Sequence, residues 1–404
     1  MSELLKEVTT GHERVLKTKA KLDASAHRYR ESWGGWFPTL DITASTGGER
    51  QIKEGGEDSS LHYRELDLKL TQLMWDFGKT DSKIQKATQL LEKAKANHDA
   101  ALIKLLLDGA RAVLNVVKTR EALQLAKKAE QNILTQAQLE KSLISAGAGL
   151  GTDLLQAKAQ HAAAETRTIR AEGALVKAEN EFRKLFKREM KSAYSLDGLE
   201  ARLARLQPIE LENAIQTALI HNAEVRAARI DVQLALEELG QVRGEKYFPA
   251  LTLEMDHKWQ DNMAAVVGRK NVSTGGLKLS MPFNLGLTAM DAVDASRQEL
   301  LAVEHQLTDT LNITEEEVRN AWQELITLRA IAITLTRQAE ISAGFLELAR
   351  QERKLGNRSL LDVLSGETSL INAQSDAASA KIDVLIGMIS LLKSTGQLNL
   401  ENFD

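Results

Sequence analysis

The chain has no cysteine among its 404 residues. That excludes a disulfide framework, a thiolate metal site, a thiol nucleophile and, in the chain as given, a lipidated N-terminal cysteine. It has four prolines, too few for a loop-rich globular enzyme of this length. Aromatic residues make up 4%, less than one large compact core would use. No apolar run reaches the ~20 residues of a membrane helix. The nearest, Ala100 to Val117, is broken by Lys104, Asp108, Arg111 and Asn115. No stretch reads as a signal peptide, and we expect a mature form whose signal has been removed. The net charge is −4, with basic and acidic residues interleaved, so there is no electrostatic footprint for nucleic acid.

What remains is helix composition, rich in Ala, Leu, Glu, Lys and Gln. One long hairpin dominates. Its first arm runs from Lys79 to about Ser145 with no proline and a single interior glycine, Gly109. A helix of ~67 residues at ~1.5 Å per residue is ~100 Å long. Ile84, Ala87, Leu91, Ala94, Ala101 and Leu105, then Ala122, Ala126, Ala129 and Ile133, follow the 3/4 spacing of a narrow coiled-coil seam. The arm breaks at Gly147-Ala-Gly-Leu-Gly151 and returns to about Met190.

Before this hairpin, residues 2 to about 33 read as helix, ended by Gly34-Gly35. The period then falls to two. Leu40, Ile42 and Ala44 alternate with Thr39, Asp41 and Thr43, and Leu66, Leu68 and Leu70 alternate with Asp67, Lys69 and Thr71. Each is a strand of about ten residues with one apolar and one polar face. The polar, Gly-rich stretch from Gly47 to Ser60 reads as an exposed loop. Trp36 and Trp75 lie at the open end of this β-hairpin, where aromatics suit a membrane interface.

The scheme recurs. After a less regular connection from Ala193 to Pro208, helix resumes from Glu210 to about Glu245. Leu251, Leu253 and Met255 alternate with Thr252, Glu254 and Asp256, and Leu277, Leu279 and Met281 with Lys278 and Ser280, around a loop from Asp261 to Gly276. Pro282 to Gly286 leads into a helix of nearly 70 residues that ends at Gly356, and a final arm runs from Ser359 to about Ser394. Phe-Pro recurs at a shift of 211, the glycines before the long helices (Gly78, Gly286) at 208, and the turn aspartates Asp153 and Asp362 at 209. We read an internal duplication. Residues 1–209 form a first repeat, with β-hairpin 36–75 and helical hairpin 79–190. Residues 210–404 form a second, with β-hairpin 247–283 and helical hairpin 287–394.

A two-stranded hairpin is barely stable alone in water. Spanning strands need ~9–11 residues, and a barrel in lipid must close. Four strands cannot close, so chains must pool them: two give the ~8-strand minimum, three give twelve and a lumen. The expected class is mainly α with a small β part, an oligomer of internally duplicated long helical hairpins that pools its four strands per chain into one closed β-barrel. The leucine rows would face lipid and the Thr/Asp/Lys rows water.

No catalytic constellation emerges. The eight histidines are scattered, with no HExxH arrangement. Gly147 to Gly151 lacks the GK[ST] ending of a phosphate loop. Acidic residues lie beside Lys and Arg on helix faces, where i,i+4 pairs in solvent are the default. No enzyme activity, cofactor or metal is expected.

Taken together, Trp36-Phe-Pro, Tyr247-Phe-Pro, Trp75-Asp-Phe-Gly78, Gly356-Asn-Arg-Ser-Leu-Leu-Asp-Val-Leu364 and Ser394-Thr-Gly-Gln-Leu398 resemble the TolC-type outer-membrane channel family. The resemblance implies a homotrimer in the outer membrane of a Gram-negative bacterium, a trimeric α-barrel of helices in the periplasm carrying a shared 12-stranded transmembrane β-barrel, with an irregular equatorial belt at 190–210 and after Ser394. It also implies partners: a periplasmic adaptor, and an inner-membrane ABC transporter or RND pump. Trp36, Phe37, Trp75, Tyr247 and Phe248 would mark the membrane interface. Gly147, Gly149, Gly151, Thr152, Gly356, Asn357 and Ser359 would form the adaptor-docking turns. Asp362 falls where the family places a lumen-constricting aspartate, and Arg358 and Asp153 would join it in the gate. Three residues on, Ser365 stands where members have a second aspartate. Asp362 near a helix start also has an ordinary capping role.

The leading expectation is an exit duct for type I secretion of proteins such as large adhesins. The alternatives are the outer-membrane component of a multidrug or metal efflux pump and, in another class, a soluble coiled-coil scaffold.

Overall fold

Two helices of 67 residues each set the architecture, α3 (Lys79–Ser145) and α8 (Thr288–Lys354). The computed structural model describes every residue except 53, 56–57, 148–149, 191–197, 282, 284–285, 287 and 404, and the side chain of 265. The described helices, in order, are α1 (Ser2–Gly11), α2 (Glu13–Ser32), α3, α4 (Gly151–Phe186), α5 (Leu199–Leu206), α6 (Leu211–His221), α7 (Ala223–Tyr247), α8 and α9 (Leu360–Ser394). The strands are β1 (Thr39–Gln51), β2 (Ser59–Trp75), β3 (Ala250–Asp261) and β4 (Arg269–Ser280). The fold is mainly α with one small sheet.

Two compact units share this chain. One gathers residues 1–17, 98–225 and 311–404, the other 18–97 and 226–310. The long helices contribute residues to both.

In the second unit the four strands form one antiparallel sheet in the order β1-β2-β3-β4. The two hairpins are therefore joined, through pairing of β2 with β3. Directly opposed residues share a face, and the expected segregation holds. Leu40, Leu70 and Met255 align, as do Ile42, Leu68 and His257. The opposite face carries Asp41, Lys69 and Asp256, with Lys69 3.4 Å and Lys278 3.1 Å from Glu254.

The strands span 12 to 17 residues rather than about ten. Of the two expected loops, residues 47–51, 59–60, 261 and 269–276 are strand, and 262–268 is left to connect β3 to β4. Polarity misled, because backbone pairing does not need apolar side chains. Gly47 pairs with Tyr63, whose ring lies so close over it that a Cβ there would sit 2.9 Å from the ring. The aromatic covers the surface a glycine leaves bare in a strand. Pro282 and residues 284–285, read as the lead into α8, lie outside the described residues.

Also in this unit, α3 and α7 run antiparallel and are stitched at heptad spacing. Lys79 meets Glu245 at 3.6 Å, Lys86 meets Glu238 at 2.6 Å, and Lys93 pairs with Asp231. Gly244 lets the helices come close, since a Cβ there would sit 3.2 Å from the Lys79 Cα.

The first unit holds the main core. From Leu105 to Val116, α3 buries Leu105, Leu106, Leu107, Ala110, Ala112, Val113, Leu114 and Val116. The narrow seam expected along the whole arm widens here, because α1, the end of α4, α5 and the last turns of α9 enclose the helix. Elsewhere Ile84, Ala129 and Ile133 of the expected seam are buried, its other positions are half-buried, and Ala96, off that spacing, is buried too. Heptad ion pairs recur. Arg120 and Lys127 bind Glu179 and Glu172 of α4, while Lys118 and Arg111 reach Asp383 and Ser390 of α9. Many charges thus bridge helices instead of forming the i,i+4 pairs expected. Glu13 is held below the usual carboxylate range by the hydrogen bond that Lys187 donates to it, with its own backbone hydrogen bond second.

Two helices read as continuous are broken at single extended residues, His12 (φ −77°, ψ 139°) and Asn222 (φ −62°, ψ 132°). Asn222 ends α6 and caps α7, its Oδ1 accepting from the Glu224 N–H at 2.7 Å. Part of the connection read as irregular is helix α5; residues 191–197 lie outside the described residues.

Candidate functional site

The expected gate residues lie in the first unit, where two helical hairpins turn. α3 ends at Ser145, Gly147 takes a left-handed φ of 75°, and α4 begins at Gly151. Gly149 lies outside the described residues. Gly151 and Thr152 are exposed. The second turn closes α8 with a Schellman pair: the Gly356 N–H donates to the Arg353 carbonyl and the Asn357 N–H to the Glu352 carbonyl, both at 3.0 Å. Gly356 has φ 81°, a conformation costly for other residues. Leu150, Leu155 and Leu355 stand 66%, 68% and 76% exposed beside these turns.

Ser359 caps α9. Its Oγ accepts from the Asp362 N–H at 3.2 Å and donates to the Asp362 carboxylate at 2.9 Å. Arg358 lies 3.4 Å from Asp362 and 3.0 Å from Glu352, with its guanidinium 5.2 Å from the Phe345 ring centre. Asp362 therefore has both roles open to it, capping and ion pairing.

The centre of the cluster is a residue the spacing did not single out. Arg353 reaches Glu140 of α3 at 3.0 Å and Asp153 of α4 at 3.5 Å, and donates to the Arg358 carbonyl at 3.4 Å. One guanidinium joins α3, α4, α8 and the turn before α9. Glu140 is 2% exposed. A second buried acid, Glu367 at 4%, accepts from Arg350 at 2.5 Å and from Asn132. A signal for both existed. Glu140 follows Ile133 and Ala137, and Glu367 follows Leu360 and Leu364, at seam spacing. Acids at seam positions need cationic partners when buried.

In the second unit the expected interface aromatics gather at the open end of the β1-β2 hairpin and around the start of β3. Phe37, Trp75, Tyr247 and Phe248 are all at least 40% exposed. The Trp36 carbonyl accepts from Gln72 at 2.9 Å. Phe77, not singled out before, binds the group together. Its ring stacks on Phe248 at 5.3 Å and meets Trp75 edge-on at 6.0 Å. Phe77 (φ 53°) and Gly78 (φ 89°) turn the chain from β2 into α3. Asp76, 4% exposed, then caps that helix, accepting from the Thr80 N–H at 2.8 Å and from its hydroxyl at 2.5 Å.

Among the described residues no helix is long and apolar enough to cross a membrane, and no group of His, Asp and Glu could hold a metal ion. The apolar material that could meet lipid is on one face of the sheet. A strand face bounded by aromatics, joined to coiled-coil hairpins, defines an outer-membrane channel component rather than an enzyme.

The comparisons agree. The family model for outer membrane efflux proteins matches twice, at residues 4–186 and 214–397. The chain belongs to the outer membrane efflux protein family. It is 22% identical to the outer membrane protein TolC of Escherichia coli over 99% of this chain and 82% of that protein. It is also 22% identical to the alkaline protease secretion protein AprF of Pseudomonas aeruginosa, over 76% and 64%. The fold matches the outer membrane protein VceC of Vibrio cholerae with a TM-score of 0.83 at 18% identity, covering 98% of this chain and 95% of that one.

Proposed function

We propose that three copies of this chain form an exit duct across the outer membrane and periplasm, as part of a tripartite export system. The observation that carries this reading is the four-stranded sheet with one apolar face. Its edge strands β1 and β4 each pair with a single neighbour among the described residues. Lipid offers no partner for free edges, and three sheets give a twelve-stranded barrel with a lumen. The two element series, residues 1–209 and 210–404, are the repeats that place two strands and one long hairpin each. The Leu40/Leu70/Met255 row faces lipid, and the aromatics around Trp75, Phe77 and Phe248 mark the periplasmic interface.

The turns are the periplasmic end. Arg353, held by Glu140 and Asp153, acts with Arg358 and Asp362 to hold the closed state. The exposed leucines Leu150, Leu155 and Leu355 offer a periplasmic adaptor a surface next to Gly147, Gly151, Thr152, Asn357 and Ser359. An inner-membrane ABC transporter supplies the cargo, or an RND pump in the second reading.

For cargo the favoured reading is protein secretion, large adhesins included; likeness to an alkaline protease secretion protein supports the secretion class. Multidrug or metal efflux is the second reading, favoured by the efflux description of the matching family. A deletion strain separates them. Loss of a secreted or surface protein with unchanged drug tolerance is expected; intact secretion with drug hypersensitivity would replace the first reading by the second. Discrete conductance steps from the detergent-purified protein in a planar bilayer, and a mass of three chains, test the duct itself.

A further inference from the structure

Above the apolar band, the same sheet face changes character. The aligned row Ala44, Leu66, Trp259 and Asn271 is followed, toward the hairpin turns, by Thr46, Arg64, Asp261 and Arg269. These two rows and His62 line a hollow of about 770 Å³, within the usual range of ligand sites. Neither guanidinium is in an ion pair among the described residues, although Asp261 lies between them in register. The row carries two positive charges and one negative; a second acid, Glu65, also lines the hollow and accepts from Gln260 at 3.0 Å.

Height matters here. From Leu251, opposite Trp75, to Asp261 is ten residues, or ~33 Å along a strand at ~3.3 Å per residue. At a tilt of about 40° that is ~25 Å of barrel height, the thickness of the apolar band in outer-membrane barrels. The arginines thus stand where hydrocarbon ends, on the side away from the junctions with α2, α3 and α7. Trp259 stands just inside them, with His257 edge-on to it at 4.1 Å.

We propose that this hollow binds the phosphorylated sugar head of an outer-leaflet glycolipid, with Arg64 and Arg269 on phosphate oxygens, Asn271 on a sugar hydroxyl, and Trp259 and Leu66 against the first acyl carbons, while the Thr46 hydroxyl is held by the Tyr63 carbonyl and His62 at 3.0 Å each. Guanidinium is suited to phosphate because it offers several donors in one plane. A free anion would use the arginines but gain nothing from the apolar floor, so the occupant is the lipid. The site rests on the reading that the apolar face meets the membrane with the hairpin turns outward.

The test uses the full-length protein in detergent, by native mass spectrometry, with hexa-acylated lipid A bearing two phosphates as probe. Lipid A stripped of phosphate, phosphatidylethanolamine and inorganic phosphate are the comparisons. Preferential retention of the bisphosphorylated lipid is expected, with roughly tenfold weaker retention in the double variant Arg64→Gln/Arg269→Gln. Arg64→Lys/Arg269→Lys should restore most of it. Equal retention of all lipids, or no loss in the glutamine variant, would overturn the site. Planar-bilayer recordings of the same samples keep the two readings apart. Pores without lipid discrimination remove only the lipid site, whereas no pores from the wild type remove the channel reading and the site with it.

Discussion

Arg353 and Glu140 meet at 3.0 Å, with the glutamate side chain 3% exposed. A polar group that dry needs a hydrogen-bonding partner, and the guanidinium supplies it. Removing one partner of such a pair costs more than the pair itself contributes. Arg353→Ala should therefore lower stability by about 3 kcal/mol, read as a clear drop in the thermal midpoint of the detergent-solubilised protein. The double variant Arg353→Leu/Glu140→Leu should recover most of the loss. A single variant as stable as the wild type would show that Glu140 is satisfied by something else.

Asp362 offers a different contrast. Its backbone N–H is capped by Ser359, and its carboxylate faces Arg358 at 3.4 Å. Ser359→Ala removes the cap and should cost about 1 kcal/mol without changing the ionic link. Asp362→Ala keeps that cap, because the backbone N–H remains, and removes the ionic link to Arg358. If Asp362 lines the constriction, single-channel conductance rises in Asp362→Ala and stays at the wild-type value in Ser359→Ala. Equal conductance in all three proteins would leave Asp362 a capping residue and nothing more.

Gly396 explains one motif that the sequence presents without a reason. It has φ 73°, and a Cβ there would lie 2.6 Å from the His221 carbonyl carbon and oxygen. The chain needs this close approach because the Asn222 side chain, beside that carbonyl, donates to the Ser394 carbonyl at 3.1 Å. Gly396→Ala meets both a disfavoured backbone region and a backbone clash, so a loss of about 2–3 kcal/mol is expected. Gly173→Ala, in helix α4 with no atom within 4 Å of the added Cβ, should instead stabilise by about 0.5–1 kcal/mol. Thermal unfolding of the two variants side by side reads both signs; a tolerated Gly396→Ala would mean the segment after Ser394 can shift.

Much of this was legible before any coordinates. The bounds of α3, Lys79 and Ser145, follow from a glycine on one side, a glycine cluster on the other and no proline between. Period-two alternation placed the strands and their faces. It did not place their ends, since Gly47 and Gly48 pair through the backbone whatever their polarity. Nor could alternation decide that β2 pairs with β3, a choice made by register between distant segments. The breaks at His12 and Asn222 each rest on one extended residue whose side chain accepts from the N–H two residues on; Asn222 is a preferred capping residue, a local signal that the unbroken helical pattern around it masks. Asp362 and Arg358 were found from a motif, whereas Arg353 was not, because its role comes from three helices converging on one guanidinium. The acids it and Arg350 serve were readable as charges on a seam.

The five tryptophans allow the membrane reading to be measured directly. Trp33, Trp36 and Trp75 belong to the junction between helices and sheet, Trp259 to the far end of the apolar band, and Trp322 packs against buried Leu and Ile side chains of the other unit. Single-tryptophan variants, with the other four changed to Phe, can be placed in bilayers of lipids brominated at known depths. Trp75 and Trp259 are separated by about 26 Å along the strands, or ~20 Å of barrel height at the same tilt of about 40°, so Trp75 should sit at one interface of the band and Trp259 just inside the other. Both should be quenched best by bromine near the headgroups and less by bromine at the bilayer centre, as interfacial indoles are. Trp322 should be quenched by neither. Equal quenching of Trp75 at every depth, or quenching of Trp322, would place the membrane elsewhere on the chain and remove the basis for assigning the leucine rows to lipid.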